Sequence, residues 1–198
     1  GFTRGWARPQ RDQIPRLLDR RMAALDVGDE TFAVYCGAAA FYSSWPSGWT
    51  LPAIARRFTP VLDHAAHSRQ RQAWPMFASW GQLHRCLADG EHQDGRLVGD
   101  LWDWELEKPR LLEERDGNSI AHSATVAGML AWLMGDVDRA LDDLGLANRW
   151  LDGVLGQLVV PVQRTFHALA HLSAAERASG LRRAHHLQRA SFHAWRLR

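Results

Sequence analysis

His167 and His171 lie four residues apart in a stretch patterned as a helix, so both imidazoles fall on one face, the spacing with which a helix offers two nitrogen ligands to a metal ion. A hydrolytic centre of that kind also needs a carboxylate base inside the motif and a third ligand. Ala168 stands where the glutamate would be, and no third ligand lies nearby in the sequence. His64 and His67 lie three apart and are a similar pair, and His185-His186 sits in a basic stretch. These read as surface or internally satisfied histidines, with no metal and no cofactor expected.

Asp136, Asp138, Asp142 and Asp143 form the one acidic run that could hold magnesium, as paired carboxylates do in all-helical enzymes of the terpene-synthase type. The Asp-Asp-x-x-Asp spacing fails, because Gly145 and Leu146 follow Asp142-Asp143 where a further carboxylate is needed. Asp136 and Asp138 are explained by a helix start, where negative charge meets the positive end of the helix dipole. Gly95 to Gly99 is not followed by the Gly-Lys-Ser/Thr of a phosphate-binding loop, and Ser43, Ser44 and Ser47 lack the glycine surround of an activated nucleophile. The expectation is a chain without catalytic residues.

Composition agrees with a packed scaffold. The 198 residues are 46% hydrophobic and 23% charged, which excludes disorder as the main state. Ten tryptophans suit the seams between helices, where a large amphipathic ring fills space and its N–H finds a partner. The net charge of +2, with both signs interleaved, leaves no single-sign face for nucleic acid. Only after Glu176 does the balance shift, with Arg177, Arg182, Arg183, Arg189, Arg196 and Arg198 unmatched by any acid. Cys36 and Cys86, each among apolar residues, are too few for a disulfide framework and fit a reducing cytosol. No run approaches the ~20 apolar residues that cross a bilayer, so neither membrane nor nucleic acid is an expected partner.

Punctuation along the chain defines the elements. A first helix is predicted from about Arg11 to Asp26, a second from Thr31 to about Tyr42 with small residues at Ala33, Gly37, Ala38 and Ala40, and a third from an N-cap at Thr50 to about His67, shortened or kinked at Pro60. Trp74, Phe77, Trp80, Leu83 and Leu87 mark the buried stripe of a fourth, from about Gln70 to Ala88. Residues 89–95 read as a long exposed loop. A helical pattern then runs from Leu97 to about Arg115, interrupted at Pro109, and Ile120 to Met134 follows as an almost wholly apolar helix. Gly135-Asp136 closes it, Ala140, Leu141, Leu144, Ala147 and Leu151 stripe the next, and Gly153 and Gly156 precede another from Val159. Eight helices with short turns give a loose repeat of helix pairs near the period of about 34 residues expected of tetratricopeptide units.

The turn between the last two carries a resemblance. Trp150-Leu151-Asp152-Gly153-Val154 followed by Gly156-Gln157-Leu158-Val159-Val160-Pro161-Val162 is similar to a stretch in the tetratricopeptide-like helical region of very large bacterial signalling proteins, with Trp150 where that family has Tyr. Arg115-Asp116-Gly117-Asn118, Gly135-Asp136 and Phe41-Tyr42-Ser43-Ser44-Trp45 extend the likeness over residues 20–172. In those proteins a protein-kinase-like domain and an AAA-type ATPase come first, and a GAF domain with a histidine kinase or another output module comes last. The resemblance implies an all-α fold of antiparallel helix pairs stacked as an irregular solenoid, and a fragment of a longer chain. Its catalytic chemistry would lie elsewhere.

Residues 1–178 are then the helical-repeat body, and 179–198 a basic tail that is frayed or truncated. The expected function is a non-catalytic, cytoplasmic interaction or sensor module that regulates an attached ATPase or kinase through a protein or intramolecular domain partner, with a small-molecule ligand as a further option. The alternatives are a metal-dependent all-helical enzyme and a purely structural spacer. Tyr42, Gln82, His84, Arg85 and His122 are the polar residues expected on the concave, ligand-facing side.

Overall fold

A computed structural model of the chain describes residues 9–68, 70, 73–90 and 94–197. Among these residues the regular structure is helical: α1 (Gln13–Asp26), α2 (Glu30–Ser44), α3 (Leu51–His67), α4 (Trp74–Asp89), α5 (Trp104–Glu114), α6 (Gly117–Leu133), α7 (Val137–Asn148), α8 (Val159–Arg177) and α9 (Gly180–Trp195). Short 3-10 turns at Gln10–Asp12 and Leu151–Val154 complete it. No helix among the described residues is long and apolar enough to cross a membrane.

Aspartates start four of these helices. The side chains of Asp29, Asp103, Asp116 and Asp136 accept hydrogen bonds from the backbone N–H of Phe32, Leu106, Ser119 and Arg139, which satisfies a donor that the first turn otherwise leaves open. Asp136 is thus a helix cap, as its position suggested. Thr50 precedes α3 but makes no side-chain cap bond. Pro60 and Pro109 lie inside α3 and α5 without ending them. Both prolines and the residues four before them, Arg56 and Glu105, are exposed, so water can take the carbonyl that loses its partner. The helical pattern expected from Leu97 begins only at Trp104. Asp103 caps that start, and the Trp104 N–H closes onto the Leu97 carbonyl at 2.9 Å. The loop expected over 89–95 lies partly outside the described residues.

The chain divides into two compact units, residues 1–91 with 99–102 and residues 92–98 with 103–198. In the first, α1 pairs with α2 and α3 with α4, while α2 also touches α3 and α4. Its core is aromatic: the Phe41 ring lies 5.2 Å from that of Phe58 and 5.4 Å from that of Phe77, with Trp80 buried beside Tyr42. Burying each such ring is worth roughly 1.5–3 kcal/mol. Gly37 lets α3 approach, since a Cβ there would stand 2.7 Å from Val61 Cγ1.

In the second unit, α6 pairs with α7 and α8 with α9, and α8 also packs on α6 and α7. α6 is buried along most of its length, as its apolar sequence predicts. Gly128 sets the α6–α7 crossing, because a Cβ would meet Leu144 Cγ at 2.6 Å and the Leu144 and Ala140 backbone at 3.1 and 3.2 Å. Leu130 is fully buried, but Trp132 is half-buried and Leu133 is 43% exposed, so the core side of α6 excludes its last turn. The expected boundary at residue 178 falls between two helices that pack on each other. Residues 180–195, read from sequence as tail, form α9 against α8.

Candidate functional site

The five residues expected on a concave face do not share one surface. Tyr42 and Gln82 are buried in the first unit and His122 in the second, each fully or nearly so. Their polarity is absorbed internally: Gln82 Oε1 accepts from the Leu101 N–H at 3.3 Å, and His122 Nε2 lies 2.8 Å from Gln157 Oε1. His84 and Arg85 remain partly exposed on α4, and His84 Nε2 reaches the Leu51 carbonyl at 2.9 Å. Those two do line a groove. It runs along α3 and α4 with a volume of about 470 Å³, an apolar floor of Phe41, Ile54, Phe58 and Leu62, and a rim that includes Asp63, His84, Arg85 and Asp89.

The acidic run of α7 is structural at its most buried point. Asp143 is 3% exposed, its Oδ1 accepting from Trp104 Nε1 at 3.0 Å and from Lys108 Nζ at 3.3 Å. Burial pushes its carboxyl pKa upward against the pull of these two partners. Asp142 is exposed, so the adjacent carboxylates face different environments and do not converge. Lys108, the only lysine in the sequence, also stands over the Trp104 ring at 5.5 Å.

The stretch that carries the family resemblance folds onto the start of α6. A Cβ on Gly117 would stand 3.0 Å from Trp150 Cε3 and 3.6 Å from Cζ3, so the indole packs close against the backbone at this glycine. Ala121, Leu151, Val154 and Val159 form a buried cluster there, with Trp150 and Val160 against it. Gln157 bridges the two segments, donating to Asn118 Oδ1 at 3.2 Å and meeting His122. The two sequence segments singled out separately, 115–118 and 150–160, are therefore one packing motif, a turn locked to a helix start.

The feature that sequence reading missed is on α8 and α9. His167 and His171, paired by their spacing, are joined by His193, and one ring nitrogen from each lies within 4.8 Å of the others. The ring centroids are 4.0 Å apart for His167 and His193 and 4.9 Å for His167 and His171. All three are buried, His193 completely. Desolvation first, then neighbouring imidazoles and Arg189, lowers the pKa of His167 to about 3 and of His171 to about 4, and desolvation with the charge of Arg189, Arg164 and Arg196 lowers that of His193 to about 4. They are neutral at pH 7. Gln163 Nε2 donates to the Leu144 carbonyl at 2.8 Å and lies 3.1 Å from His167 Nδ1. His171 Nδ1 lies 3.0 Å from His186 Nδ1. Neither nitrogen of His193 has a hydrogen-bond partner among the described residues. The expectation that no third histidine joins the pair is thus corrected: the hairpin brings one from 22 residues beyond His171. The visible signal was His186 and His193, two turns apart in a segment that could fold back.

No family model matches the chain, and no curated protein or solved structure is significantly similar to it.

Proposed function

We propose that the chain is a non-catalytic helical module that binds a partner and regulates enzymatic domains attached to it, in the manner of a tetratricopeptide-like stack. The observation that carries this reading is the groove on α3 and α4, whose apolar floor and mixed-charge rim suit an apolar anchor flanked by polar groups. Helices that touch both members of the following pair, as α2 touches α3 and α4, support a stacked arrangement. The resemblance of residues 150–162 supports the signalling context of a kinase or ATPase, and Cys36 and Cys86, both buried and not joined in a disulfide, are consistent with a cytoplasmic setting. The enzyme alternative loses ground because Asp143 is buried on Trp104 and Lys108, where it cannot share a metal with Asp142.

A display library of short peptides panned on the full chain tests this. Peptides with an apolar anchor are expected to bind at micromolar strength and to lose binding in Leu62→Arg, a substitution at the half-buried groove wall. Asp142→Asn should leave binding unchanged. Metal-dependent turnover abolished by Asp142→Asn, or ligands that ignore Leu62→Arg, would sink the proposal. Asp143 is unsuited to the comparison, since changing it leaves the Trp104 N–H unpaired in the core.

A further inference from the structure

We propose that His167, His171 and His193 form a tri-imidazole site for a divalent ion of the zinc class, which pins α9 onto α8 and leaves a fourth position to water or a small anion. Three observations converge on it. The ligand atoms are already gathered, two from one face of α8 and one from α9, within 4.8 Å of one another. Tetrahedral zinc with N ligands at 2.0–2.1 Å would need them roughly 3.3 Å apart, so the widest separation of 4.8 Å must close by about 1.5 Å through rotation of the rings.

The second observation is His193 itself. A buried neutral imidazole carries one donor and one acceptor, and native interiors satisfy nearly all such groups. His193 is fully buried with neither nitrogen partnered among the described residues, and its ring faces the other two. A metal ion gives one of those nitrogens the partner that the chain does not.

The third is the weakness of the seam. α9 spans sixteen residues, yet only Ala190 and His193 are buried, while Leu181, Leu187, Phe192 and Trp195 remain 91%, 42%, 41% and 63% exposed. Apolar burial alone holds this helix poorly. A metal bridging His193 to α8 adds a cross-link at its one deeply buried polar point, and the free energy of binding becomes free energy of docking.

The donor set selects the ion. Imidazole nitrogens suit zinc, copper, nickel and cobalt, whereas magnesium and calcium require oxygen ligands, and no carboxylate belongs to this cluster. Arg164 on α8, Arg189 on α9 and Arg196 just beyond it place positive charge near the cluster, which favours an anion at the fourth position. His167 Nδ1 already meets the Gln163 amide, which is also bonded to the Leu144 carbonyl, so an ion on Nε2 leaves this contact in place.

The test uses the full chain without any added histidine tag, stripped with a chelator and titrated with zinc chloride by calorimetry. One equivalent should bind, and amide exchange should slow across 180–195. His193→Leu, which keeps the volume of the side chain, should weaken binding by more than the 10–100-fold that loss of a ligand-orienting group costs. His67→Ala should bind as the unaltered chain does. In the unaltered chain, imidazole nitrogen resonances of His167, His171 and His193 should shift together on zinc addition, a readout that needs no variant. Cobalt should give the absorption of a tetrahedral site. No binding, shifts confined to His185 and His186 or to His64 and His67, or undiminished affinity in His193→Leu would each overturn the proposal.

Discussion

The second unit buries histidine in two ways. His122, on α6, has its Nε2 2.8 Å from Gln157 Oε1, and Gln157 is itself tied to Asn118, so a chain of side-chain bonds ends within the protein. His167, His171 and His193 instead bury rings against rings, and His193, the innermost, has no hydrogen-bond partner among the described residues. Burial alone therefore does not distinguish a structural histidine from a ligand-seeking one. Whether the chain itself completes the hydrogen bonding does.

That contrast can be broken or sharpened by substitution and by pH. The largest effect is expected in the core that underlies the first environment. Leu130→Ala, at a fully buried position of α6, should destabilise the unit by about 2–5 kcal/mol, read by denaturant unfolding. A change within error would mean that α6 is not central and that His122 lacks a rigid frame.

Acid comes next. Burial holds the His122 pKa down to about 4 despite the raising effect of Gln157, while in the unfolded chain it titrates near 6.5. The unfolded state therefore takes up the proton first as pH falls. The stability linked to His122 is complete above about pH 6.5 and is lost between there and about pH 4, with a slope of up to about 1.4 kcal/mol per pH unit. The stability difference between the unaltered chain and His122→Leu should be constant above about pH 6.5 and change in favour of the variant as the pH falls toward 4. A difference that stays constant throughout would show that His122 is not buried neutral.

The smallest effect is the most discriminating. At pH 7 without metal, His122→Leu should cost about 1–3 kcal/mol, because the half-buried Gln157 loses the partner of its side-chain oxygen. His193→Leu should cost nothing measurable or stabilise, since it removes two unpartnered nitrogens and adds apolar contact. Equal losses in the two variants would erase the distinction between the environments.

How much of this the sequence carried depends on the range of the interactions. Caps and turns are local, so Asp29, Asp136 and the stops near 28, 90 and 135 can be read from a few neighbouring residues. The apolar α6 and the small-residue approach at Gly37 are equally legible, because burial on most faces leaves a continuous pattern. The fate of single polar residues was not. Gln82 and His122 look like surface by type, and only the partner that reaches them, Leu101 in one case and Gln157 in the other, makes them interior. The histidine cluster depends on the register of the α8–α9 hairpin. α9 has almost no buried stripe from which that register could be inferred, so 179–198 read as tail while holding the third ring.

The pairing of Lys108 with Asp143 makes the protein's amine chemistry unusually local. With a single lysine side chain in 198 residues, an acylating reagent or an enzyme that acetylates lysine has one internal target, and it lies beside the Trp104 indole. Acylation there would erase the charge of Lys108 that faces Asp143, and the carboxyl, already lifted by burial, would rise further toward its neutral form. A label at that nitrogen would therefore perturb the α5–α7 contact that it reports, and tryptophan emission would register the change.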